Sequence, residues 1–220
     1  MEHNPELVVE TKNLTKRFGR ITAVDELSIE VHRGEIFGFL GPNGSGKSTT
    51  MGMILGLIAP TSGCVCVFGM DVTRNLPQIL KRTGALTEST GFYPYLSGLE
   101  NLRYFARITD GVSPQRIEEV LELVDLTNRA RDPFSSYSLG MKQRLGLACA
   151  LLGDPEFVIL DEPTNGLDPA GMKEIRELVK LLGEQDKTVF LNSHLLHEIQ
   201  QVCDRVAIIK QGRVITQGKV

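Results

Sequence analysis

The sequence predicts an α/β fold built on a parallel sheet, with an antiparallel β subdomain at its N-terminal side and an α-helical subdomain inserted at about residues 89–150. Three observations predict it. The last third alternates strand-like and helix-like runs: FVILDEP, AGMKEIRELVKLL, KTVFLNSH and LLHEIQQV, before DRVAIIKQGRVITQG closes as a hairpin-like pair. The first thirty residues are strand-like, with LVVETKNL and AVDELSIEV flanking the turn RFGRI. Between these regions a glycine-rich loop joins a buried strand to an apolar helix.

That loop is GPNGSGKST: Gly41, Pro42, Asn43, Gly44, Ser45, Gly46, Lys47, Ser48 and Thr49. Glu35–Leu40 leads in as a strand, and TTMGMILGLI leads out as a helix. The pattern G-x-x-x-x-G-K-[ST] in this setting is a phosphate cradle, the mark of a P-loop NTPase core. Glycines let backbone N–H groups turn inward, and the helix N-terminus adds partial positive charge. Lys47 is placed to reach β- and γ-phosphates, and Ser48 to offer its hydroxyl to Mg²⁺. Phe18, in the turn just upstream, has the chemistry to stack on a base or to pack as core.

After the loop come the turn PTSG, the short strand CVCVFG, a helix around Leu76–Arg82 and the strand GALTE ending at Glu88. STGFYPYLSG is an aromatic loop, and Phe92, Tyr93 and Tyr95 on it read as a contact surface. Leu99 to about Leu126 is helical by its apolar spacing, with Pro114 at a helix start. Ser138 then precedes a long helical pattern that it is suited to cap, which makes a second anion-friendly helix N-terminus.

The parallel-sheet pattern gathers ligand groups at the carboxyl ends of strands. Leu40 with its loop, Asp161 with Glu162, and Ser193 with His194 all fall at such ends. Asp161 suits Mg²⁺, Glu162 suits a general base for an attacking water, and His194 suits a hydrogen bond to a γ-phosphate and that water. Strand alternation turns Glu162 away from Asp161.

At 220 residues, 41% hydrophobic and 23% charged, the chain has ample material for one domain, 1–220, with a core and a smaller subdomain. A net charge of −3 gives no support for general nucleic-acid binding. No apolar run reaches the roughly 18 to 20 residues that span a bilayer, and no secretory signal is visible. Cys64, Cys66, Cys149 and Cys203 read as reduced thiols of a cytosolic protein. An N-K-x-D guanine motif is absent.

From about Leu7 to Gly218 the ordered set GPNGSGKST, YSLGMKQRL, VILDEPTNGLD and NSHLLHEI resembles the nucleotide-binding domain of ABC transporters. It is most similar to the ATPase subunits of exporters whose permease is a separate polypeptide, the ABC-2, antibiotic-resistance-like kind. The resemblance implies ATP and Mg²⁺ as ligands, a transmembrane permease as partner, and a second copy of the ATPase as partner in the ATP state. It also implies a peripheral, cytoplasmic location on the inner face of the membrane. A non-transport ATPase of the same family, acting on a ribosome or nucleic-acid complex, is the alternative.

By the same resemblance Phe18 stacks on adenine, Glu162 is the catalytic carboxylate and His194 the switch histidine. Ser138 and Gly140, in YSLGM, match the signature that closes over the γ-phosphate held by another subunit's loop. Asp168 matches the acid that communicates across the dimer. The chain departs from the family pattern at Leu139 (a glycine there), Met141 (a glutamine) and Glu88 (a glutamine linking Mg²⁺ to the permease). Glu88 is expected to replace that amide as a Mg²⁺-linked sensor, since a carboxylate ligates a hard cation. Members of the family usually continue past the position of Val220, so a truncated or minimal form is expected.

Overall fold

The computed structural model describes residues 6–87, 91–109 and 111–220. Its first strands, β1 (Leu7–Phe18), β2 (Ile21–Leu27) and β3 (Glu30–His32), pair antiparallel, with β2 and β3 both against β1. Next come β4 (Ile36–Leu40), α1 (Lys47–Ile54), β5 (Ser62–Val67), β6 (Met70–Asp71), α2 (Val72–Leu80) and β7 (Thr83–Leu86). Three helices follow, α3 (Gly98–Ala106), α4 (Pro114–Leu123) and α5 (Leu139–Ala150). The last third is β8 (Phe157–Asp161), α6 (Pro169–Glu184), β9 (Thr188–Ser193), α7 (Leu196–Val202), β10 (Arg205–Lys210) and β11 (Arg213–Lys219).

Two sheets result. The antiparallel one runs β2-β1-β5-β6, with β3 also on β1, and the other runs β11-β10-β4-β9-β8-β7. In the second, β10, β4, β9, β8 and β7 are parallel, and β11 closes the edge antiparallel. A strand apolar on both faces is stable only when both faces are covered. Strands β4, β8 and β9 meet that condition and are buried at every position.

Their alternation divides the interior in two. Phe37, Phe39, Phe157, Ile159 and Phe190 face α1 and the antiparallel sheet. Ile36, Leu40, Val158, Leu160, Val189 and Leu191 face the helices α3 to α7. Phe190 lies 5.7 Å from Phe37 and 5.3 Å from Phe39, centroid to centroid, which seals the first core between neighbouring strands.

The helical block holds α3 and α4, capped by Ser97 and Ser113, and Pro114 starts the second as its sequence predicts. Two sequence expectations shift. Helix α2 starts at Val72, ahead of the apolar run at Leu76, because the Asp71 carboxylate accepts from Thr73 N–H at 2.8 Å and caps it. Phe92 is no surface residue: it is buried edge-on against Phe105 and Phe134 at 5.5 and 5.1 Å, while Tyr95 stays 76% exposed. All four cysteines are free. Burial pushes the thiols of Cys149 and Cys203 up to about 12, which keeps them protonated and unreactive at neutral pH.

Candidate active site

Strand β4 ends at the glycine-rich loop, and the loop becomes α1 with Gly46 at φ 104°. Only glycine fits there, because a Cβ would collide with the Ala23 carbonyl oxygen. Helices α2 to α6 are all capped by a side chain (Asp71, Ser97, Ser113, Ser138 and Asp168), whereas α1 and the short α7 have no side-chain cap. The first N–H groups of α1 are therefore open to an anion. Lys47 is 6% exposed; its ammonium donates to the carbonyls of Gly41 at 2.7 Å and Pro42 at 3.2 Å. That holds the charge under the loop.

The loop borders an open cleft of about 520 Å³, whose lining includes Phe18, Asn43, Gly44, Ser48, Glu162 and His194. Phe18 is 49% exposed, with the Lys16 ammonium 4.9 Å from its ring centroid. An aromatic face left in water at the border of this cleft is not core, and its ring is accessible for stacking.

The carboxylates meet the cleft from β8. Asp161 is the last residue of the strand, buried, and its carboxylate accepts from Asn192 Nδ2. Glu162 does not continue the strand: it sits at φ 48°, in the left-handed region, held by its N–H bond to the Asn192 carbonyl at 3.0 Å. This backbone turn, rather than strand alternation, separates the two acids. Glu162 Oε2 lies 2.8 Å from His194 Nδ1, and its Oε1 lies 3.7 Å from Lys47 Nζ. One carboxylate thus bridges the phosphate lysine and the histidine.

A hard cation prefers oxygen ligands and keeps several waters. The oxygens offered here are the exposed Ser48 hydroxyl, the Asp161 carboxylate and Asn192 Oδ1, which is buried with no hydrogen-bond partner among the described residues. These donors fit Mg²⁺. Among the described residues no group of three or more His, Cys, Asp or Glu could hold a metal, so a cation here would take its other ligands from nucleotide and water.

Ser138 and Gly140 do not line this cleft. Ser138 caps α5 through Met141 N–H at 3.2 Å, and its helix N-terminus is exposed. Leu139 is 48% exposed, and one of its methyls lies against Gly166. Asp168 caps α6 through Gly171 N–H at 2.9 Å. Glu88 lies outside the described residues. Asn165 and Asn192 line the cleft and escape the sequence reading. The signal for Asn192 was its place two residues after Phe190 on the face that Asp161 shares.

A loop that cradles polyphosphate, with a carboxylate and an imidazole held over it from neighbouring strands, defines a P-loop nucleotide hydrolase. The sequence profile of the family described as ABC transporter matches residues 24–165, and the chain belongs to that family. An uncharacterized ABC transporter ATP-binding protein YhcH of Bacillus subtilis (strain 168) is 50% identical over 209 residues, covering 94% of this chain and 68% of that protein. The bacitracin transport ATP-binding protein BcrA of Bacillus licheniformis is 48% identical over 211 residues, covering 96% and 69%. Among solved structures, the dimeric post-hydrolysis state of the ATP-binding cassette MJ0796 bound to ADP and Pi superimposes with a TM-score of 0.86 at 28% identity, covering 96% and 98%. The chain has the fold of an ATP-binding cassette, and its activity is that of an ATPase.

Proposed function

We propose that this chain powers a membrane exporter: two copies close head to tail on two ATP molecules, and hydrolysis reopens them. The observation that carries this reading is the separation of Ser138 and Gly140 from the chain's own cleft, which leaves the loop Pro42–Gly44 exposed and the site without a cover. A second copy would supply that cover, its α5 N-terminus meeting the γ-phosphate.

In the closed site Lys47 binds the β- and γ-phosphates, Phe18 stacks on adenine and Glu162 takes a proton from the attacking water. His194 orients Glu162 and the water. Mg²⁺, held by Ser48 and Asp161, adds positive charge to the phosphates when bound. Glu88 is assigned the sensor role at the permease side, and Glu88→Gln should alter the Mg²⁺ dependence of hydrolysis; an unchanged dependence removes that role.

No helix among the described residues is long and apolar enough to cross a membrane. The membrane path is assigned to a separate permease, with this chain at the inner face. Its contact would be the aromatic surface of Tyr93, Tyr95 and Tyr104, whose rings pack at 5.8 and 5.1 Å around Tyr93, within an α-helical subdomain of about residues 89–150. The BcrA relative, named for bacitracin transport, supports transport as the task.

Glu162→Gln with saturating ATP and Mg²⁺ should elute as a dimer by light scattering. A strictly monomeric variant under those conditions overturns the head-to-tail reading.

A further inference from the structure

Asn192 is fully buried, yet it borders the cleft and touches both acids of the site. It pairs in register with Asp161 across the parallel strands β8 and β9. Its side-chain amide donates to the Asp161 carboxylate, and its backbone carbonyl accepts from Glu162 N–H at 3.0 Å. A carboxylate can only accept, so Nδ2 must face Asp161 and Oδ1 must point elsewhere. That oxygen has no partner among the described residues. Burying an acceptor without a donor is destabilising, and an apolar side chain would fill the position without that cost. The cost is explained if a donor arrives with the ligand.

We infer that Asn192 is a positioning residue for the cation: it fixes the Asp161 carboxylate through Nδ2 and accepts from a water of the cation's shell through Oδ1. This rests on the reading of Asp161 as a Mg²⁺ ligand. Among the described residues the Asn192 side chain hydrogen-bonds to Asp161 and not to the glycine-rich loop, so its effect is on the metal rather than on the nucleotide itself. Groups that orient a metal ligand typically govern metal affinity by about 10- to 100-fold.

The test uses the full chain and a fluorescent non-hydrolysable ATP analogue. Its Kd is measured in EDTA and in saturating Mg²⁺ for wild type, Asn192→Ala, Asn192→Leu and Asp161→Asn. The leucine variant fills the same space, so it stands in if the alanine variant does not fold. The expected result is that the tightening by Mg²⁺ falls about ten-fold in the Asn192 variants while the Kd in EDTA is unchanged. An unchanged Mg²⁺ effect in the Asn192 variants, with Asp161→Asn reducing it, overturns the role of Asn192 alone. A Mg²⁺ effect unchanged in Asp161→Asn as well removes the reading of Asp161. Equal loss of affinity in EDTA and in Mg²⁺ makes Asn192 a purely structural residue.

Discussion

Glu162 Oε2 and His194 Nδ1 lie 2.8 Å apart, although 32 residues separate them in the chain. The contact exists because β8 and β9 are adjacent and parallel, so both residues leave the sheet at the same edge. A carboxylate accepts from Nδ1–H, which fixes the imidazole ring at the border of the cleft.

His194→Ala should therefore lower kcat by about two orders of magnitude, because Glu162, the proton acceptor, loses the imidazole that orients it, while ATP affinity changes only a few-fold. Phosphate release and nucleotide binding measured on the same preparation decide it. An equal fall in affinity would make His194 a phosphate ligand first.

Phe18 supplies the second prediction. Stacking of a base on an aromatic is worth about 1–3 kcal/mol, so Phe18→Ala should weaken ATP binding by roughly 5- to 150-fold, with kcat at saturation little altered. Phe18→Trp should retain affinity. Ile21, paired with Phe18 and 70% exposed, is the control: Ile21→Ala should leave binding unchanged.

The strand ends that build the site were legible because a run such as VILD states both its burial and its direction. Leu40, Asp161 and Ser193 all lie where that logic puts them. What escaped was set by contacts distant in sequence. Phe92 is one of three aromatics in its loop, and only the approach of Phe105 and Phe134 takes it inside. The left-handed turn at Glu162 depends on the Asn192 carbonyl on another strand, which no local pattern reveals. The start of α2 was hidden because VTRN has no apolar period, so the Asp71 cap alone decides it.

A third prediction concerns acid. Glu156 accepts from Arg82 Nε at 2.6 Å and from Arg33 at 2.9 Å, tying β7 and the turn after β3 to the start of β8. These guanidiniums, Arg82 foremost, hold its carboxyl down from 4.5 to about 2. A depressed folded-state value means the contribution is full above about 4.5 and is lost as pH falls toward 2. The side chain is 43% exposed, so solvent screens the pair and the effect is modest. Glu156→Gln should lower the thermal midpoint at pH 7, and the gap from wild type should close between about pH 4.5 and 2. A gap independent of pH would assign the effect to packing, including the Arg82 guanidinium stacked 3.8 Å from the Phe68 ring.

Asp168 caps a helix, and substitution can separate that role from one between two copies. Its carboxylate caps α6 at Gly171 N–H, and removal of such a cap costs about 0.5–2 kcal/mol. For a chain of this size that is roughly 2–4 °C in Tm per kcal/mol. Asparagine caps as well as aspartate, so Asp168→Asn should keep the thermal midpoint and remove only the charge, whereas Asp168→Ala loses both. If the acid communicates between two copies, Asp168→Asn lowers ATPase activity at unchanged Tm and unchanged nucleotide affinity. Full activity in the asparagine variant, with a lowered Tm in the alanine variant, would make Asp168 a helix cap and nothing more.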